Sequence, residues 1–176
     1  KREWKEISTN ATDMSTFLHA CSMVIMEHCG GASGPIWGSA FRAASKAIVG
    51  KDSLTVADFA DMMQAAVKGI QATGDRSFGR SAAVGDKTLI DALVPCADAW
   101  TESGKNGASF IDAFKAGAKA AVDGAKATEK IVARMGRAGT VGERSLGYPD
   151  AGAYALGVIF SEIYKNMKFH VNKVIE

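Results

Sequence analysis

Aromatic residues make up only 8% of this 176-residue sequence, and it has 3 prolines and 3 cysteines. Cys21, Cys29 and Cys96 are odd in number and none forms a CxxC pair. That excludes a disulfide framework and fits a reducing cytoplasm. His19, His28 and Cys29 lack a fourth ligand at zinc spacing and read as packing or surface groups. No apolar run approaches the roughly 20 residues that cross a bilayer; Tyr154 to Phe160 is the longest. A secretory pattern of basic start, apolar middle and small-residue cleavage site is also missing. Neither sign of charge dominates, with 21 Lys+Arg against 19 Asp+Glu and a net charge of +2. This balance argues against a nucleic-acid partner, which calls for a concentrated basic face. What remains is a soluble, cytoplasmic chain with no membrane segment. With 47% hydrophobic residues it can bury one sizeable core, and at about 150 residues per domain it is expected to form a single domain over 1–176.

The abundance lies in the smallest side chains. The sequence holds 30 alanines and 19 glycines, more than a quarter of the chain. Alanine is the best helix former, while glycine in this quantity belongs at turns, caps and close contacts. The expected fold is therefore all-α, with tightly packed helices joined by glycine-rich loops.

Periodicity predicts six helices. The first runs from about Thr12 to His28, with Met14, Phe17, Leu18, Cys21, Val24 and Ile25 on one face, and stops at Cys29-Gly30-Gly31. A second carries Pro35 in its first turn, an apolar stripe from Ile36 to Ile48, and ends at Gly50. The third opens on the capping box Thr55–Asp58 and ends at Gly74, followed by a polar loop to Gly85. The fourth spans about Asp86 to Trp100, with a kink expected at Pro95. Ser109 with Asp112 opens the fifth, which extends as far as Arg134 and whose Ala- and Gly-rich centre suits close packing. After a long loop from Met135 to Pro149, Asp150 caps the last helix, with fraying expected from Phe169 onward.

Three loops share one design, glycines and small polar residues running into a helix start. They are Gly30 to Gly34, Gly79 to Thr88, and Gly136 to Gly152. A helix N-terminus offers free N–H groups and about half a positive charge, which attracts phosphate. Arg137 and Arg144 add planar, bidentate phosphate donors. No GK[ST] follows at P-loop spacing, no strand precedes the glycines, and His19, His28 and His170 have no nucleophile-elbow partner. The residues alone point to a phosphorylated ligand without naming it.

Gly30-Gly31-Ala32-Ser33-Gly34-Pro35, Gly85-Asp86-Lys87-Thr88, Gly142-Glu143-Arg144-Ser145-Leu146-Gly147 and Pro149-Asp150-Ala151-Gly152-Ala153 occur in that order. From about residue 12 to 168 the chain resembles the nucleotide-binding domain of the dihydroxyacetone kinase family, found as an L subunit or as the C-terminal domain of fused kinases. The resemblance implies a closed barrel of antiparallel amphipathic helices with ATP or ADP at one rim. It implies nucleotide contacts at Ala32, Ser33, Gly79, Leu89, Arg137, Asp150, Ala151 and Gly152, with Arg137 also in the catalytic role. The loop from Gly79 to Gly85 is one residue longer than the family spacing, and Leu89 stands where methionine is common. The implied partner is a K subunit or domain that holds dihydroxyacetone on a histidine. The phosphoryl donor is either ATP or a phosphotransferase-system protein recharging bound ADP.

The family binds magnesium through a GDxDxG segment, and no such segment occurs in this sequence, so no residue here is assigned as a metal ligand. The expectation is that this acidic segment lies upstream of Lys1. The alternative is a non-catalytic helical module that binds a nucleotide or regulates a partner kinase. A lipid or fatty-acid kinase relative is a third possibility, against which the Gly142 to Gly147 motif stands.

Overall fold

The computed structural model describes residues 3–175, and for Phe78 and residues 168–175 the backbone alone. Lys1, the subject of the upstream expectation, lies outside the described residues. As the composition predicts, the described chain is helical and contains no strand. It divides into two compact units, Lys1–Ser81 and Ala82–Glu176.

The first unit contains α1 (Trp4–Asn10), α2 (Met14–His28), α3 (Ser33–Ala47) and α4 (Val56–Phe78). Periodicity gives no sign of α1, which is only 7 residues long. It is tied by tertiary contact, with the Trp4 ring edge-on to Phe17 at 5.9 Å. Helix α2 opens on a capping box in which the Asp13 carboxylate accepts from the Thr16 amide at 2.7 Å. The box predicted for α4 is present too: Asp58 N–H donates to Thr55 Oγ1 at 3.1 Å, and Thr55 N–H to Asp58 Oδ2 at 2.9 Å. Hydrogen bonds from the Thr55 hydroxyl and amide, then the Lys51 ammonium at 2.9 Å, hold the Asp58 carboxyl well below its usual range.

Gly74 does not end α4, which continues to Phe78 and stops at Gly79 in the left-handed conformation, φ 73°. Helix α3 packs on α2 and on α4. A Cβ on Gly69 of α4 would stand 2.6 Å from the Ser39 carbonyl oxygen of α3, so only glycine lets these backbones meet. One turn on, the Thr73 hydroxyl donates to Ser39 Oγ at 2.7 Å.

The second unit contains α5 (Ile90–Lys105), α6 (Phe110–Ala127) and α7 (Ala151–Ile175), with 3-10 segments at Thr128–Lys130 and Arg137–Ser145. Helix α5 starts four residues later than Asp86 and continues past Trp100; α6 stops short of Arg134. The backbone of α7 stays helical through Ile175, beyond the point at Phe169 where fraying is expected. Trp100 is fully buried, with the Phe110 and Phe114 rings edge-on at 5.1 and 5.5 Å. The small-residue face of α6 packs as predicted: Ala113, Ala118, Ala121 and Ala125 are buried. Cys96 sits in the same core, where burial pushes its thiol up to about 12.

The closest approach lies at the other end of that face. A Cβ on Gly124 would stand 2.1 Å from the Asp91 carbonyl oxygen of α5. Pro95, four residues after Asp91, has no N–H to give that carbonyl, so the α5 ladder is open where α6 leans on it. Gly124→Ala must push the helices apart and is expected to lose about 1–3 kcal/mol of stability. For a chain of this size that is roughly 2–4 °C of melting temperature per kcal/mol. The exposed substitution Lys119→Ala on the same helix should stay within about 0.5 kcal/mol. Equal melting temperatures for the two variants in a calorimetric scan would refute the close-contact account.

Candidate functional site

Of the three glycine-rich helix starts, two lie in the second unit and are wired to each other. The segment before α5 is held by Asp91, whose carboxylate accepts the Gly85 amide at 2.6 Å and the Thr88 amide at 2.7 Å. Gly85 has φ 101°, and Lys87 is the one non-glycine residue with positive φ (61°) among the described residues. Such a backbone costs about 1–3 kcal/mol without glycine. Asp86, Lys87 and Asp91 are all buried, which demands partners for their polar atoms. Asp86 Oδ2 accepts the Ala83 amide at 2.9 Å, and the Asp86 carbonyl accepts the Arg134 amide at 3.0 Å. Lys87 Nζ donates to the Ile131 carbonyl at 3.2 Å and to the Ser145 carbonyl.

These last bonds close the stem of the following loop. Ser145 Oγ accepts the Ala133 amide at 2.9 Å and donates to the Gly142 carbonyl at 2.7 Å. Gly147 N–H donates to the Glu129 carbonyl at 2.9 Å, and Asp150 N–H to Thr128 Oγ1 at 2.8 Å. The two sides of the neck, 128–134 and 145–150, are thereby stitched together, and residues 135–144 form an Ω-loop between them. Its tip, expected as plain loop, forms 3-10 turns interrupted at Gly142 (φ 56°, ψ −133°). Arg137 and Arg144 are exposed on it, and the Arg137 side chain forms no hydrogen bond or ion pair among the described residues.

The chain then enters α7. Asp150 caps it as predicted, with Oδ2 accepting the Ala153 amide at 2.9 Å. Leu89, at the start of α5, lies directly against Gly152, where a Cβ would be 3.1 Å from both Leu89 Cβ and Asp150 Oδ2. Leu89, Asp150, Ala151 and Gly152 therefore share one place. Burial raises the Asp150 carboxyl above its ordinary range; the Ala153 and Gly152 amides oppose this, the Asp91 charge adds to it, and Lys87 opposes it.

The remaining predicted positions lie in the first unit. Ala32 and Ser33 form the start of α3, where no side chain caps the amides. Gly34 is buried there because a Cβ would stand 2.3 Å from the Cys29 carbonyl oxygen. Gly79, predicted inside a loop, instead supplies the left-handed stop of α4, its N–H donating to the Asp75 carbonyl at 3.0 Å.

Lys87, Asp91, Thr128 and Ser145 are absent from the predicted site residues although they hold its frame. Thr88-Leu89-Ile90-Asp91 has the capping-box spacing of Thr55–Asp58, a signal that could have revealed Asp91. Among the described residues no three His, Cys, Asp or Glu side chains are grouped to hold a metal ion. The described residues thus present no carboxylate set for magnesium. Chemically the second unit offers a capped helix start, an apolar Leu89 beside it, and a mobile-length arginine side chain on a braced loop, a combination suited to an organic phosphate.

The family model described as "DAK2 domain" matches residues 1–165. The chain is 31% identical over 167 residues to "PEP-dependent dihydroxyacetone kinase 2, ADP-binding subunit DhaL" of Listeria innocua, covering 95% of this chain and 74% of that protein. Against "PEP-dependent dihydroxyacetone kinase, ADP-binding subunit DhaL" of Escherichia coli, identity is 33% over 141 residues, covering 80% and 64%. Against "L-erythrulose kinase" of Pectobacterium atrosepticum it is 33% over 148 residues, covering 84% of this chain and 24% of that protein.

The raised Asp150 carboxyl gives a pH test. Because the folded state holds this proton more tightly than the unfolded chain, stability falls as pH rises through the folded value. Asp150→Asn keeps an acceptor for the Ala153 amide and does not titrate. Its melting temperature relative to the parent should therefore climb as pH rises from below the ordinary value of 3.8, then level off. A flat or falling difference would remove the buried-carboxyl assignment.

Proposed function

This chain belongs to the DAK2 domain family, and from that premise we propose that it is the nucleotide-binding part of a dihydroxyacetone (glycerone) kinase. On this reading residues 1–176 act as one cytoplasmic nucleotide-binding domain. ATP passes its γ-phosphoryl group to the small ketose, which a K-type partner subunit or domain holds, and leaves as ADP or stays bound as ADP to be recharged. A phosphotransferase-system protein is the donor if the nucleotide is not exchanged.

The observation that carries the reading is the grouping of Leu89 against Gly152 at the Asp150-capped start of α7, with Arg137 exposed on the loop that leads into it. In that arrangement Leu89 gives the base an apolar contact. The Arg137 guanidinium neutralises a phosphate oxygen. Phosphoryl transfer leaves little covalent work to a protein; positioning and charge neutralisation dominate. This chain's share of that work is to hold the nucleotide. Two relatives bearing the words "ADP-binding subunit" support the assignment. Among the described residues no helix is long and apolar enough to cross a membrane.

Calorimetric titration of the chain with ADP, with and without magnesium in the buffer, tests the reading. Binding should be saturable, and ADP at 100 times its Kd should add about 2.7 kcal/mol of stability. Arg137→Ala removes a charge-assisted contact of about 1.5–3 kcal/mol, so affinity should fall roughly 10- to 100-fold. Addition of a K-type partner and dihydroxyacetone should yield the phosphorylated ketose. Absence of ADP binding, or an unaltered Arg137→Ala titration, would overturn the corresponding assignment.

A further inference from the structure

Lys87 satisfies neither of the two demands its position makes. Its backbone is left-handed at φ 61°, a conformation in which glycine is the least strained residue. Its side chain is only 3% exposed, where an apolar residue is the usual occupant. What lysine brings that neither alternative can is an ammonium group with several donors. Those donors are directed inward, to the carbonyls of Ile131 and Ser145 on opposite sides of the Ω-loop neck. The adjacent residue works on the same neck, since the Asp86 carbonyl takes the Arg134 amide. The segment that presents both is itself fixed by the Asp91 carboxylate through Gly85 and Thr88.

We propose that Lys87 is a positioning residue: its buried ammonium pins the loop neck shut and so holds the tip in the conformation that presents Arg137 to a nucleotide phosphate. Lys87 does not itself touch the phosphate, because its ammonium is engaged by backbone carbonyls inside the neck. The proposal rests on the nucleotide reading for the identity of the ligand, but not for the pin. Within residues 135–144 the tip's own bonds are local, Gly139 N–H to the Gly136 carbonyl at 3.2 Å and the Thr140 hydroxyl to the Arg137 carbonyl at 2.7 Å, so they shape single turns without fixing where the tip points. Its placement comes from the neck.

The test uses the whole chain carrying Lys87→Gly, which relaxes the left-handed backbone, and in parallel Lys87→Met, which retains bulk without the ammonium. Limited trypsin digestion well below the melting temperature reads the pin. Cleavage after Arg137 and Arg144 should accelerate about 10-fold in both variants, while cleavage after Lys119 on α6 stays at the parent rate. Acceleration at all three sites alike, or at none, overturns the pin.

ADP titration reads the positioning. Lys87→Gly should weaken ADP as much as Arg137→Ala does alone, roughly 10- to 100-fold, and adding Arg137→Ala to it should weaken binding by less than about 2-fold more, because the contact is already lost. Independent, multiplying losses would overturn the positioning role, since a general loss of stability does not make Arg137 dispensable. If the parent chain binds no ADP, the nucleotide reading fails on its own, and the digestion pattern decides whether Lys87 orders the loop.

Discussion

Asp91 is used at both ends. Its carbonyl oxygen meets the backbone of α6 where Gly124 has no side chain, and its carboxylate gathers the Gly85 and Thr88 amides. Helix packing and loop conformation in the second unit are thus fixed through a single residue. A change in how closely α6 lies on α5 displaces Asp91, which displaces the segment bearing Lys87, which in turn loosens the neck beneath Arg137. The core and the candidate site are thus linked through one chain of contacts, from Gly124 through Asp91 and Lys87 to the loop neck. That continuity is what preorganisation requires, because a charged group held in place before its ligand arrives spares the ordering penalty at binding.

The two units solve the problem of a helix start differently. At α5 and α7 the loops are cross-braced by buried side chains, and the polar groups of Asp86, Lys87, Ser145 and Thr128 are turned inward onto backbone atoms. At α3 the start is shaped by steric exclusion, with Gly34 against the Cys29 carbonyl and no capping side chain. Buried networks of the first kind are unforgiving, since a half-satisfied one is worse than none. Their presence around Arg137 and Asp150 singles out that end of the second unit as the part where geometry is most tightly specified.

Much of this was legible from residue spacing. The boxes Thr55–Asp58 and Ser109–Asp112 marked helix starts correctly because capping is a local interaction between residues three apart. Residue spacing points to Gly74 and not to Gly79 as the end of α4, because a glycine stop of this kind depends on φ turning positive, as at Gly79, which composition does not reveal. Gly74 is carried through the helix by tertiary support next to it, the Thr73–Ser39 bond. Helix α1 escaped notice because seven residues give too little periodicity, and its anchor on Phe17 is a tertiary contact. Family motifs point to Leu89, Arg137 and Asp150 to Gly152 as candidates, whereas Lys87, inside the Gly85–Thr88 motif, draws no notice. A lysine is ordinarily read as solvated, and only the fold shows this one buried with its donors turned inward.

The contact between Gly124 and the Asp91 carbonyl also has a consequence for how the sequence can drift. Most packing constraints are shared, since a larger residue on one helix can be accommodated by a smaller one opposite. Here the opposing atom belongs to the main chain, so no side-chain change on α5 can make room. The constraint is one-sided: position 124 is frozen, while position 91 is held by its carboxylate and not by its neighbour's size. Divergence at this crossing can proceed only by moving a whole helix axis, and that would carry the Arg137 loop with it.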